Sequence, residues 1–167
     1  SAAVNTKVHK KLGIPKKHDI AFVGSMTYRR KNILTALEKH FQIFTPNIWD
    51  NKEINEVFNE SKIVLNIHLS DLPNIETRIG EVLGSGSFLL TEELSSQDLF
   101  ADGEHLVQWH KGDIDDLIKQ IQYYLFHEDE RERIATNGHH FARKHQNKKK
   151  RMHQLLSVID FNQNKSN

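Results

Sequence analysis

The sequence predicts a Rossmann-like α/β domain: a parallel sheet with helices on both faces, followed by further helices at the carboxyl end. Three observations lead there. Short apolar segments that suit strands alternate with longer segments whose apolar residues recur at helical spacing, which argues for a parallel sheet covered on both sides. The stretch from Ser87 to Leu90 is too short for a helix and too apolar to alternate, so it fits a strand buried on both faces. Beyond His105 to Trp109, the last strand-like stretch, only helical stripes remain.

Residues 1–18 are polar and lysine-rich, with Gly13 and Pro15 set against a helix, and read as a linker into the fold. The chain begins Ser-Ala-Ala instead of with methionine, so a processed start or a piece cut from something longer is expected. The domain itself is read over residues 19–160 and a polar tail over 161–167. Asp19 to Gly24 is a buried strand ending in glycine. Ile33, Leu34, Leu37 and Phe41 then mark a helix from about Tyr28 to His40. Gln42 to Thr45 is a second short strand, stopped by Pro46. Asp50, with Glu53 three residues on, matches a capping box that opens a helix through Val57 and Phe58.

Lys62 to His68 is the third strand. Pro73-Asn74 breaks the chain, and Asn74 suits the N-cap of the helix that carries Glu81. Gly84 and Gly86 end that helix, because glycine tolerates the left-handed conformation a helix stop needs. Ser87 to Thr91 is the fourth strand and His105 to Trp109 the fifth. Ile114, Leu117, Ile118, Ile121 and Leu125 form one helical stripe capped by Asp113. Ile134, Ala135, Phe141 and Ala142 form another, and Met152, Leu155, Leu156 and Ile159 the last.

Composition narrows the function. At 167 residues the chain fits one domain with a single core, and 37% hydrophobic with 27% charged residues excludes a mostly disordered polypeptide. No apolar run approaches the ~20 residues that span a bilayer, and the amino terminus lacks a signal-peptide layout. Without cysteine, neither disulfides nor thiolate metal sites are available, and a cytoplasmic location is the default. A net charge of +1 is too balanced to imply a polyanion partner. The eleven histidines show no His-x-x-x-His pair beside a carboxylate, so no metal site is expected. The basic run from Arg143 to Arg151 lies where one helix ends and the next begins, where cations complement helix ends. It has no interleaved aromatic residues for base stacking, so no nucleic-acid partner is expected.

Ligands of such sheets bind beyond the carboxyl ends of the strands, so the loops after Gly24, His68 and Thr91 are the candidates. Gly24-Ser25-Met26-Thr27-Tyr28-Arg29-Arg30-Lys31 joins a strand to a helix. Free amides at a helix start favour a phosphate, and a guanidinium can hold one bidentately. With one glycine it is neither Gly-x-Gly-x-x-Gly nor a Walker motif. Spacing alone favours Arg29, Arg30 and Lys31 as a solvated helix face. His68 and Asn66 end the third strand at the edge facing the crevice, either satisfied by backbone or touching a ligand.

The stretch Arg78-Ile79-Gly80-Glu81-Val82-Leu83-Gly84-Ser85-Gly86-Ser87-Phe88-Leu89-Leu90-Thr91 resembles the donor-sugar-nucleotide region of GT-B-fold glycosyltransferases of group 1, in particular the spore-maturation-protein-like group. There an Arg-x-x-Glu-x-x-x-x-Gly pattern runs into a strand ending Leu-Leu-Thr. Tyr123-Tyr124-Leu125, Arg131, Ile134-Ala135, Gly138, Arg151 and Leu155-Leu156 extend the likeness, which runs from about Asp19 to Ile159. The resemblance implies one half of a GT-B fold, the carboxyl-terminal donor-binding half. It implies that Glu81 accepts hydrogen bonds from both ribose hydroxyls, and that the helix start around Glu76, Thr77 and Arg78 receives the diphosphate. It further implies that Arg30 faces the donor phosphates, with Gly24 and Ser25 beside it. Two positions depart from the pattern of retaining enzymes: Ser25 stands where an arginine is common, and Pro73 where the first glutamate of a Glu-x7-Glu pair is expected.

The reading is therefore the nucleoside-diphosphate-sugar-binding domain of a hexosyltransferase-like enzyme. A missing amino-terminal domain would carry the acceptor, and the isolated chain would be inactive. The expected site residues are Gly24, Ser25, Arg30, His68, Thr77, Arg78 and Glu81, with no metal and no cofactor beyond the donor itself. The alternatives are a non-catalytic nucleotide- or sugar-binding module on the same fold, favoured by Pro73 and Ser25, and an RNA- or membrane-associated basic domain.

Overall fold

A computed structural model of the chain describes residues 5–69, 77–94 and 100–145. Ten elements follow one another: β1 (His18–Ala21), α1 (Tyr28–Leu37), β2 (Ile43–Phe44), α2 (Asn51–Asn59), β3 (Ser61–Asn66), α3 (Thr77–Gly84), β4 (Leu89–Glu92), β5 (Val107–Trp109), α4 (Ile114–Phe126) and α5 (Glu128–His145). The five strands form one sheet in the order β2-β1-β3-β4-β5, every neighbouring pair parallel. After β1 the chain steps outward to β2, then crosses back to place β3 on the other side of β1. The carboxyl ends of β1 and β3 therefore flank the point where the winding direction reverses, the place such sheets leave a crevice.

Successive strand residues point to opposite faces, and the core divides accordingly. Ile20, Ile63, Leu65 and Leu90 face a cluster with Ile33, Leu34 and Leu37 of α1 and Leu117 and Ile121 of α4. Ala21, Val64 and Leu89 face the other cluster, with Ile54, Val57 and Phe58 of α2 and Ile79, Val82 and Leu83 of α3. Helices α2 and α3 thus share one face of the sheet, and α1 and α4 the other. Helix α5 contributes Ile134 and Ala135 to the first cluster and Ala142 to the second. It passes so close to the loop before β5 that a Cβ on Gly138 would collide with the carbonyl oxygen of His105.

The caps follow the sequence. The Asp50 carboxylate accepts from the amides of Lys52 and Glu53 at α2, and the Asp113 carboxylate from the amide of Asp116 at α4. The stop of α3 rests on Gly86, with φ +73°, and not on Gly84, which stays within the helix. The Gly86 amide donates to Leu83 O at 3.1 Å and the Ser87 amide to Val82 O at 3.3 Å, the paired bonds of a left-handed helix stop. That use of Ser87 delays β4 to Leu89, two residues later than the sequence suggests. Strand β3 ends at Asn66 instead of His68, because the His68 amide donates to the Glu92 carboxylate at 3.0 Å in place of a strand carbonyl. Strand β1 ends at Ala21, although the Phe22 amide still reaches Phe44 O at 2.9 Å, where β2 itself stops. The expected cap at Asn74 and the expected helix from Met152 to Ile159 lie outside the described residues.

Ahead of β1, the side-chain oxygens of Asn55 and Asn59, one turn apart on α2, accept from the amides of Lys10 and Leu12 at 3.0 and 2.8 Å. Both side-chain amides return a bond to Lys10 O at 3.1 Å. No described helix is long and apolar enough to cross a membrane.

Candidate functional site

A cleft of about 360 Å³ opens at the reversal point between β1 and β3, lined by Val23, Gly24, Ser25, Arg30, Trp49, Asn66, Leu69, Thr77 and Arg78. Among the described residues the lining includes two arginines and no carboxylate, so it favours an anion. A second cleft, of about 340 Å³ beside β5, is lined by Glu93, Asp102, Gln108 and His110 among others. Its two carboxylates oppose an anion. There the Asp116 carboxylate, hydrogen-bonded to the His110 ring, raises that histidine above its ordinary value.

Arg30 is 6% exposed and anchors the first cleft from beneath. Its Nε and Nη2 donate to Ile67 O at 2.9 and 2.7 Å, and its Nη1 to Ser25 O at 3.1 Å. The guanidinium also lies over the Phe22 ring, 5.4 Å from its centroid. Gly24 gives it room: a Cβ there would sit 3.2 Å from Arg30 Nη1. Arg30 therefore fixes the β1–α1 loop against the end of β3 while its charge stays at the cleft wall.

Arg78, in the first turn of α3, is partly exposed. Its Nη1 lies 2.9 Å from Glu81 Oε2, one turn further along the helix, and its guanidinium lies over the Phe58 ring at 5.4 Å. The Nη1 contact is close in distance but off hydrogen-bonding direction: Nη1 is buried and makes no aligned hydrogen bond. Thr77 opens α3 and is exposed.

Of the residues singled out from sequence, the fold gathers Gly24, Ser25, Arg30, Asn66, Thr77 and Arg78 around one cleft. His68 and Glu81 are not among its lining. The His68 ring is buried, with Nε2 3.1 Å from Glu93 O, while Glu81 is engaged with Arg78. Glu76 lies outside the described residues.

Trp49 and Leu69 line the cleft beyond those residues. Asn66 donates through Nδ2 to Thr91 Oγ1 at 3.0 Å, tying β3 to β4 at their carboxyl ends. Trp49 immediately precedes the cap of α2, a position whose apolar side chain ordinarily folds back on the helix. Here the indole is 75% exposed. An apolar residue beside a cap was the available signal, and its exposure was not readable from sequence. Arg29 is not the solvated residue that its spacing suggests: with Glu92, which carries no signal in the sequence, it forms a bidentate pair at the same sheet edge. Among the described residues, no group of three or more histidine, aspartate or glutamate side chains could hold a metal.

Comparisons with known proteins bear on this geometry. A family model described as glycosyl transferase-like matches residues 18–157. No curated protein matches the sequence. Among solved structures, sucrose-phosphate synthase from Thermosynechococcus elongatus aligns with a TM-score of 0.73 at 12% identity, over 94% of this chain and 51% of that one. The C-terminal domain of the glycosyl transferase group 1 family protein LpcC from Francisella tularensis aligns with a TM-score of 0.68 at 16% identity, over 87% of this chain and 99% of that domain. HepE from Anabaena, solved in complex with UDP-glucose, aligns at 0.64 with 13% identity, over 84% of this chain and 40% of that protein. The chain thus spans about half the length of the synthase and nearly all of the isolated C-terminal domain.

Proposed function

This chain belongs to the glycosyl transferase-like family, and from that premise we propose that it is the domain that holds the nucleoside-diphosphate-sugar donor in a larger glycosyltransferase. Its Rossmann-like sheet is one half of the GT-B arrangement. The observation that carries the proposal is the cleft at the reversal point, lined by Arg30 and Arg78 with no carboxylate among its described walls. A diphosphate laid there meets Arg78 directly, with the amides and small side chains of Gly24 and Ser25 opposite. Helices α2 and α3 cover the same face of the sheet, so a nucleoside extending over that face runs from Glu81 toward Trp49. Glu81 then takes the ribose diol, two donors to two carboxylate oxygens. The exposed indole of Trp49 stacks on the base.

Transfer is part of the proposal for the whole enzyme. A second domain carries the acceptor and closes over the donor, and the two cations stabilise the departing diphosphate electrostatically. Orientation of two bound reactants is worth ~7–11 kcal/mol of barrier. This chain alone is therefore expected to bind a nucleoside diphosphate weakly and to transfer no sugar. Ser25, at a place where an arginine is common in the resembled enzymes, favours a second reading, a module that binds the nucleotide without transfer. A transfer assay on the larger protein separates the two.

The binding test uses the two tryptophans. Trp109 is fully buried and Trp49 largely exposed, so acrylamide quenches chiefly Trp49. Uridine, adenosine and guanosine diphosphates are titrated against inorganic pyrophosphate. The proposal expects at least one nucleoside diphosphate to bind more tightly than pyrophosphate and to shield Trp49. Binding of pyrophosphate as tight as that of every nucleotide overturns it.

A further inference from the structure

We infer that Arg78 is a specificity latch: by pairing with Glu81 it withholds the ribose acceptor until a diphosphate draws it away, so the site selects nucleoside diphosphates over nucleosides. The inference rests on the donor-site reading above and adds an energetic link between the two ends of the ligand.

Four observations carry it. Arg78 both lines the cleft and is the partner of Glu81, with Nη1 2.9 Å from Oε2. Glu81 is absent from the cleft lining, so the carboxylate that Arg78 contacts is not itself a wall of the cleft. Both side chains keep partial exposure, 21% and 22%, so the arginine has room to move. Finally, Nη1 is buried without an aligned hydrogen bond, so the resting contact leaves a donor unsatisfied that a phosphate oxygen can take.

The relative strengths set the direction. A partly exposed i, i+3 ion pair is weak, whereas arginine and phosphate form short, charge-assisted and often bidentate bonds. A diphosphate in the cleft therefore outcompetes Glu81 for Arg78. The released carboxylate gains a free face toward the ribose hydroxyls. A nucleoside lacks the phosphate that moves the arginine, so it must break the pair itself and loses that much affinity. Phe58, beneath the guanidinium at 5.4 Å, gives Arg78 an apolar surface on which to pivot between the two partners. By linkage, the phosphate and ribose subsites then bind cooperatively.

Removing this binding-site cation should therefore strengthen the binding of one ligand, the nucleoside. Uridine, adenosine and guanosine, each with its diphosphate, are titrated by calorimetry into the wild-type chain, Arg78→Ala, Glu81→Gln and the double variant. The base whose diphosphate binds most tightly is used for the comparison. Arg78→Ala is expected to raise nucleoside affinity about 1.5- to 5-fold while lowering diphosphate affinity at least about 10-fold. In the Glu81→Gln background, removing Arg78 is expected to leave nucleoside affinity unchanged. Nucleoside affinity that stays level or falls in Arg78→Ala, with Glu81 intact, overturns the latch even where the diphosphate binds as proposed. Failure of every diphosphate to bind the wild-type chain overturns the donor-site reading itself.

Discussion

The guanidinium of Arg29, in the first turn of α1, clamps the fully buried carboxylate of Glu92, the last residue of β4. Its Nη1 also donates to His68 O at 3.2 Å, and the His68 amide donates back to Glu92 at 3.0 Å. The pair thereby joins the β1–α1 loop to the ends of β3 and β4, the three segments around the crevice. Removing one member of a buried pair leaves the other charge uncompensated. Arg29→Ala is expected to lose about 3–5 kcal/mol of stability in urea unfolding. A loss below about 1 kcal/mol would class the contact with surface ion pairs.

Arg30 and Arg78 line the same cleft but differ in what else they hold. Arg30 donates three hydrogen bonds to Ile67 O and Ser25 O, whereas Arg78, among the described residues, pairs with Glu81 and lies over the Phe58 ring. Arg30→Ala should therefore weaken the fold by about 1.5–3 kcal/mol as well as weakening nucleotide binding. Arg78→Ala should leave stability within about 1 kcal/mol of wild type. Parallel denaturant melts of the two variants check this, and equal losses would contradict it.

Glu81→Ala is expected to keep a normal melt while weakening nucleoside-diphosphate binding by about 1.5–3 kcal/mol, or roughly 10- to 150-fold. A 2′-deoxynucleoside diphosphate assigns the effect. The deoxy ligand should bind the wild type less well than its ribose counterpart, and the two should bind Glu81→Ala alike. A deoxy penalty that survives the substitution removes Glu81 from the ribose site.

His139 on α5 places Nδ1 3.1 Å from Leu83 O, fastening α5 to the end of α3. Burial lowers this histidine below its ordinary value of 6.5, assisted by the charge of Arg143 and by His140, while the Leu83 carbonyl opposes the shift. The folded state thus binds its proton less readily than the unfolded chain. Stability rises with pH wherever the unfolded state holds more protons. The His139 contribution is therefore full above pH 6.5 and is lost as pH falls from there through the lowered folded value. His139→Gln should flatten the decline of unfolding free energy as pH falls below about 6.5. An unchanged slope would assign the acid sensitivity to other groups.

Much of the fold was legible because the signals were local. Asp50 and Asp113 cap as their spacing indicates, and the stripe Leu117–Ile121 packs where a helical period puts it. Strand ends were less legible, because they depend on long-range partners: Glu92 takes the His68 amide and shortens β3. The lining of the candidate cleft was legible where family pattern and loop position coincide, at Gly24, Arg30 and Arg78. Nothing in the run Tyr28-Arg29-Arg30-Lys31 says which arginine turns inward to Ile67 and which reaches across to Glu92. That choice is made by strand order, through carbonyls and a carboxylate more than thirty residues away.

The asparagine pair on α2 gives the fold a mechanical property. Residues 10–12 run along α2 and are fastened by four hydrogen bonds from two side chains, three of them to the backbone of Lys10 alone. A pull on the chain ahead of β1 is borne first by those bonds and passed sideways into the helix. The β1 ladder with β3 takes the load only after Asn55 and Asn59 let go. Stretched from this end, the molecule should yield in two steps, with the helix-borne fastening acting as a fuse that spares the sheet beneath the crevice.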